Sequence, residues 1–372
     1  MATKGYVAPE VDHAYSRALE LCQQMGETPH LFPVLRGLQL FYLSRDLKKA
    51  RELAEQMLTL AEALQERVSL LGAHFAFGQT LFLSGELTAA LPHFEEGITL
   101  YNPHQDQSLF WAGSHAGVQC FGFSAWALWL LGYQDQGLRK ADEAIALAQE
   151  VNHRFSLGFA FFSAARLHQP SSQVQATHER AEALRELATE QEFPYFIMLA
   201  NIYRGWVLFE RGQREEGLDM LRRGVDAQRA SGVMGGRLHF LAVLGEAYGK
   251  ADQPEAGLAA VDEALEVFQE TEDRLEISEP YRVKGELLLQ FKGQSIEAEA
   301  EECFQHAIDI ARSIQAKSLE LRAVISLARL WQRQSKNRQA YQLLSEIYEW
   351  FTEGFDTQDL QEAKALLNEL LW

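Results

Sequence analysis

The chain has 372 residues, more than one compact core usually holds, and its hydrophobic content of 47% is ordinary for a folded, soluble protein. Against 34 Lys and Arg stand 52 Asp and Glu, and the net charge of −18 repels phosphate backbones and argues against a nucleic-acid partner. Cys22, Cys120 and Cys303 are far apart with no C-x-x-C, as in a reducing compartment; MATKGYVAPEV at the start has no signal-peptide run, and the most apolar stretch, Phe121 to Leu131, is about half the roughly 20 residues that span a bilayer, so the expectation is a soluble cytoplasmic protein with no membrane partner.

From the amino terminus, Val11 to Met25 reads as a helix with Ala14, Ala18 and Leu21 on one face. It looks like the second helix of a hairpin without its first, and the bare face is expected to be a docking or self-association surface. After it, a small residue recurs near the start of each second helix: Ala50, Ala90, Gly137, Ala176, Gly217, Gly257, Ala300 and Ala340, at steps of 40, 47, 39, 41, 40, 43 and 40. Such even steps mean an array of eight helical hairpins, each packing on its neighbours. The matching first-helix positions are Leu38, Gly78, Ala125, Ala164, Gly205, Gly245, Gly285 and Ala328, with an insert of three before Ala300.

Ala200 to Ser231 shows the unit most clearly. Gly205 and Leu208 share a face of the first helix, Gly212 opens the turn, and Gly217, Leu221 and Gly224 line the second helix. Each helical glycine costs roughly 0.5–1 kcal/mol against alanine, and close helix contact is the return. No sustained period-two alternation and no Asn-Gly turn appear, so no strands are expected. Pro9, Pro194, Pro254 and Pro280 fall at or near helix starts; Pro29, Pro33, Pro103 and Pro170 fall in connections or first turns. Pro92 alone intrudes early in a second helix, which predicts a bend or a late start there. Asp356 or Thr357 is expected to cap a final helix ending at Trp372, for about eighteen helices in all.

Small, large, small at these offsets is the tetratricopeptide (TPR) pattern, with a step longer than the standard 34 residues. The predicted fold is therefore all-α: a right-handed superhelical solenoid of about eight TPR-like hairpins with ~40-residue repeats and an extra helix at each end. It is read as a single unit over 1–372, with a half repeat at 1–28, eight hairpins at 29–353 and a capping helix at 354–372. Several segments resemble the carboxy-terminal TPR region of large bacterial signalling proteins: ATKGY at 2–6 with Ala8 to Val11, Leu21 to Leu38, Ala127 to Leu138, Cys303 to Trp331 and Trp350 to Leu367. In that family a class III nucleotide cyclase or similar output domain precedes an AAA-type ATPase domain, and the repeats follow. The resemblance implies that Met1 falls partway through such repeats, that catalysis lies upstream, and that no catalytic residue carries over.

Motifs for chemistry are missing. GEAYGKA at 245–251 is one residue short of a phosphate loop and lacks its hydroxyl. Cys303 and His306 do not make a zinc site, and Cys303 is read as core and His306 as surface. There is no H-E-x-x-H and no G-x-S-x-G, and the paired carboxylates read as solvated faces. No cofactor, metal or catalytic residue is assigned. What remains is the concave side, which first helices line in such solenoids. Spacing from the small positions turns inward Phe75 and Phe82, Trp126 and Trp129, Phe161 and His168, then Ile202, Trp206 and Phe209. Later repeats supply His239 and Glu246, Arg282 and Glu286, Arg329 and Gln332, with Arg322 and Arg333 extending the last face. The groove thus divides into an aromatic first half and a charged second half. The aromatics either pack between long helices or line a groove for a peptide, helix or small ligand. The arginines either pair with the chain's own glutamates or receive an acidic partner. The leading reading is a non-catalytic scaffold for protein–protein interaction, a regulatory module of an ATPase/cyclase-type signalling system. The alternative is a sensor that binds a small molecule or peptide in the aromatic groove.

Overall fold

The structure, a computed structural model, describes residues 9–25, 31–43, 45–102, 105–106, 109–111, 113–233, 235–271, 274–291 and 293–371. Among them are eighteen helices. α1 (Pro9–Met25) precedes eight hairpins. These are α2 (Leu31–Tyr42) with α3 (Leu47–Leu64), α4 (Arg67–Leu83) with α5 (Leu87–Leu100), α6 (Ala116–Leu130) with α7 (Gln134–Glu150), and α8 (Arg154–His168) with α9 (Val174–Glu190). Then come α10 (Pro194–Glu210) with α11 (Arg214–Ser231), α12 (Arg237–Lys250) with α13 (Pro254–Thr271), α14 (Ser278–Leu288) with α15 (Gln294–Ser313), and α16 (Lys317–Arg333) with α17 (Asn337–Tyr348). α18 (Gln358–Leu370) follows. The all-α solenoid of eight hairpins with a helix at each end is what the repeat spacing requires.

Small residues sit where backbones meet. A Cβ on Gly205 would stand 2.5 Å from the Leu221 nitrogen, and one on Gly217 2.4 Å from the Phe209 nitrogen. The turns within hairpins carry a left-handed residue at a fixed place: Gly132, Ser172, Gly212 and Asp252, each with positive φ. That series corrects the ruler in the fourth repeat. Thr177, fully buried at the fourth position of α9, is the equivalent of Gly137 and Gly217, while Ala176 is half-buried.

Other local expectations need correction. Of the bend or late start expected at Pro92, the late start does not occur, since α5 runs from Leu87 through Pro92; the ring leaves the Thr88 carbonyl without its usual amide. Thr357 stands at the N-cap of α18, but its hydroxyl donates back to the Gly354 carbonyl at 2.7 Å instead of accepting from the helix. A short antiparallel pair, β1 (Phe110–Trp111) and β2 (Ser114–His115), interrupts the α5–α6 connection where no strand was expected. On α1, Tyr15 and Leu19 pack on the first core, with the Tyr15 ring over Gly37, while Ala14 and Leu21 are exposed. Pro29 and Pro103 lie outside the described residues.

The superhelix returns on itself. The Ser318 hydroxyl donates to the Trp129 carbonyl at 2.6 Å, and Gln134 donates to Ser318 at 3.4 Å. The Gln136 backbone and side chain bond both oxygens of Glu353, at 3.0 and 3.1 Å, and the Gly354 amide reaches Asp135. The Trp350 ring packs on Tyr133, with the Lys317 ammonium 5.9 Å from the same ring. One hairpin earlier, Thr88 bonds Gln315 at 3.0 Å. These contacts form a clasp between the second and third hairpins and the last ones, and the first helices enclose a lumen.

Candidate functional site

The aromatic half of the lumen is built on α6, a helix apolar all round and hence buried nearly throughout. Trp126 donates its indole N–H to the Ser163 carbonyl at 3.1 Å, and Trp129 to the Ser171 hydroxyl at 3.0 Å. Both rings are thereby fixed. With Phe82 from α4 they wall a small cavity of about 50 Å³. Leu319 and Arg322 of α16 close the opposite side, brought there by the clasp. The Arg166 guanidinium lies over Trp126, 4.8 Å from the ring centre, and pairs with Glu276. His239 of α12 also reaches this cavity, and its Nε2 is buried with no hydrogen-bond partner among the described residues. Burial, then the charges of Arg166 and Arg322, hold that imidazole well below its ordinary pKa.

The charged half is a second cavity of about 310 Å³, and Arg322 lines both. Arg282 of α14 bonds Glu279 on its own helix at 3.0 Å and Glu246 of α12 at 2.8 Å. Arg322 stands 3.3 Å from Glu279 and 3.7 Å from Glu246. Lys250 adds a contact to Glu246 at 3.0 Å, and Arg329 pairs with Glu362 of α18. Burial pushes the Glu246 carboxyl up, but Lys250, Arg282 and Arg322 outweigh it and hold it well below the carboxylate range. Glu279 is likewise held down by Arg282 and Arg322 against burial. Asp359, buried at the start of α18, goes the other way: desolvation raises it and Glu279 and Glu246 add to that.

The structure therefore brings Phe82, Trp126, Trp129 and Arg322 to one cavity and Arg322 and Arg329 to the other. His239, Glu246, Arg282 and Glu286 also line the lumen. The remaining candidates lie elsewhere. Phe75 is fully buried against Phe94 of α5 and Phe123 of α6 and does not line either cavity. Trp206 and Phe209 are buried, and Phe161 packs half-buried on the main core. His168 bonds Gln173 at 2.5 Å. Arg333 is exposed and has no ion pair among the described residues. Arg322 and Arg329 are thus satisfied by the chain's own glutamates.

Spacing missed Arg166, Glu276 and Glu279. Arg166 had a signal, a lone cation late in the apolar run of α8. Glu276 had none, since it lies in the link before α14, outside any helical period. Elsewhere, GEAYGKA lies largely within α12, with its amides engaged in the helix rather than free to cradle a phosphate. Cys303 is buried and His306 exposed. Burial pushes the Cys120 thiol up to about 12 and Cys303 to about 11, so neither is a thiolate at neutral pH. Among the described residues no group of three His, Cys, Asp or Glu is arranged to hold a metal, and no helix is long and apolar enough to cross a membrane.

No protein-family model matches the chain, and no curated protein matches it. Solved structures do. A Rap protein complexed with competence and sporulation factor aligns with a TM-score of 0.65 at 13% identity, over 97% of this chain and 94% of that one. NprR in complex with its cognate peptide NprX aligns at 0.58 and 12%, over 91% and 97%. Aspartyl phosphate phosphatase F from Bacillus subtilis aligns at 0.52 and 13%, over 91% and 89%. At these identities the likeness establishes a shared helical-solenoid fold along nearly the whole chain.

Proposed function

We propose that the chain is a non-catalytic binding module that takes a protein or peptide segment in its lumen. The observation that carries this reading is the lumen itself: an aromatic cavity and a charged cavity that share Arg322 in their linings, built mainly on first helices. An extended segment meets apolar anchors and polar partners there in sequence. The Rap and NprR structures support it, since each is described with a bound factor or peptide in a solenoid of this fold. The module serves in the cytoplasm as the regulatory part of an ATPase/cyclase-type signalling system, as the segment resemblance implies. The exposed Ala14 and Leu21 on α1 provide a surface for self-association.

The test is a peptide array followed by titration of the purified chain, read by tryptophan emission. Saturable binding that Arg322→Glu abolishes is expected. A small molecule carried through purification, with no peptide bound, would favour the sensor reading, for which the unpartnered His239 Nε2 speaks. Turnover of any substrate would overturn the non-catalytic reading.

A further inference from the structure

We propose that the aromatic cavity receives one uncharged aromatic side chain of the bound segment, a tyrosine or a tryptophan. This rests on the lumen being a peptide site and names what that site selects.

Charge comes first. The ions that reach the cavity are already matched, Arg166 by Glu276 and Arg322 by Glu279. A charged side chain entering between them loses its water and finds no free counter-ion. The occupant is therefore neutral. Its body is apolar and flat, because Phe82, Trp126 and Trp129 line the cavity together with Leu130, Leu167 and Leu319. Aromatic rings gain from edge and offset contacts on such a wall beyond the area they bury.

Polar atoms then separate the candidates: beside the Glu276 carboxylate, which is paired with Arg166 but whose Oε2 has no hydrogen-bond partner among the described residues, the cavity offers a neutral acceptor. His239 Nε2 is buried and unpartnered among the described residues. Burial and the nearby arginines keep that ring neutral, so one nitrogen is an acceptor. With the proton on Nδ1, a phenol O–H or an indole N–H donates to Nε2. A phenyl or isobutyl group leaves the atom stranded, which a buried polar group does not tolerate freely. The residues flanking the anchor pass Arg322 into the larger charged cavity, so the segment is polar on that side.

The probes are the N-acetyl amides of tyrosine, tryptophan, phenylalanine and leucine, and of aspartate as a charged control. Binding to the full chain is followed by ligand-observed NMR. Tyrosine and tryptophan amides are expected to bind roughly tenfold tighter than phenylalanine amide, the worth of one satisfied buried group. His239→Leu should erase that preference while phenylalanine amide still binds, and His239→Gln, which keeps a side-chain acceptor, should retain part of it. Should His239→Leu fail to fold, Leu319→Trp, which fills the cavity, should block all the aromatic amides instead. Equal binding of tyrosine and phenylalanine amides, stronger binding of the aspartate amide, or no aromatic amide bound at all would overturn the proposal. Array peptides that bind regardless of aromatic content would overturn it while leaving the lumen a peptide site. An array with no binder would instead remove the reading beneath it.

Discussion

Trp126 and Arg282 stand on first helices at nearly the same depth, 6% and 7% exposed, yet opposite physics holds them. Trp126 is fixed by contact with Phe82, Phe123 and Phe162 and by one hydrogen bond of its own. Each aromatic there is satisfied separately. Arg282 belongs to a network in which Glu246, Glu279 and Arg322 depend on one another. Burying such a network gains little over an apolar core, but breaking it exposes the full cost of an unpaired charge. The aromatic half of the lumen is therefore held by area, and the charged half by mutual neutralisation.

The sharpest way to break that contrast is to remove one group from each half. Trp126→Ala should cost about 3–5 kcal/mol, and so should Trp206→Ala, since Trp206 is 6% exposed and buried like core. Urea unfolding measures both, and a cost under about 1 kcal/mol at either would place that ring on an open surface. In the charged half, Glu279→Ala strips the shared partner from Arg282 and Arg322 and should cost about 3 kcal/mol. If instead Glu279→Ala were neutral, the arginines would be solvated and the two halves would not differ in kind.

The contrast also marks what could be read from the chain. Helix number and order followed from the small residues, because a glycine such as Gly205 or Gly217 is imposed by backbone contact and leaves a fixed period. The division into aromatic and charged halves followed from the same ruler. Which aromatics reach the lumen did not. Phe75 and Phe82 are seven residues apart on one helix face and both pack on Phe94 and Phe123, yet Phe75 stays in the core and Phe82 also reaches the cavity. That choice depends on the superhelical path, which no single repeat contains. The clasp is invisible for the same reason, since Ser318 and Trp129 are 189 residues apart. Glu276, in a link without period, enters the site through the closure of the ring.

Acid sharpens the comparison next. His239 is held neutral when folded but takes a proton when unfolded below about 6.5. The unfolded state then binds more protons, so stability should fall as pH drops below that value. His74 and His93, both lowered chiefly by burial, add to the same limb. Glu246 and Glu279 contribute stability that is complete above about 4.3 and is lost as pH falls through their depressed folded values. Melting curves should thus show two limbs, the upper one worth roughly a few degrees. His239→Gln should shrink the upper limb and leave the lower one. A single limb below about 4.3 in the unmodified chain would mean that the histidines protonate freely when folded.

The smallest effect separates the halves most cleanly. Ser318→Ala removes a donor to the Trp129 carbonyl, which keeps its bond from the Gly132 amide, so the cost should be about 1 kcal/mol. Its consequences are not evenly shared. The far wall of the aromatic cavity, Leu319 and Arg322, belongs to α16 and faces α6 across the clasp. The charged network spans α12, α14 and α16, which pack consecutively and need no clasp. Loosening the clasp should therefore raise acrylamide quenching of tryptophan emission and hydrogen exchange at the end of α6. Exchange in α12 and α14 should stay unchanged. Equal loosening of both halves would show that the charged network draws its order from the closed ring rather than from its own helices.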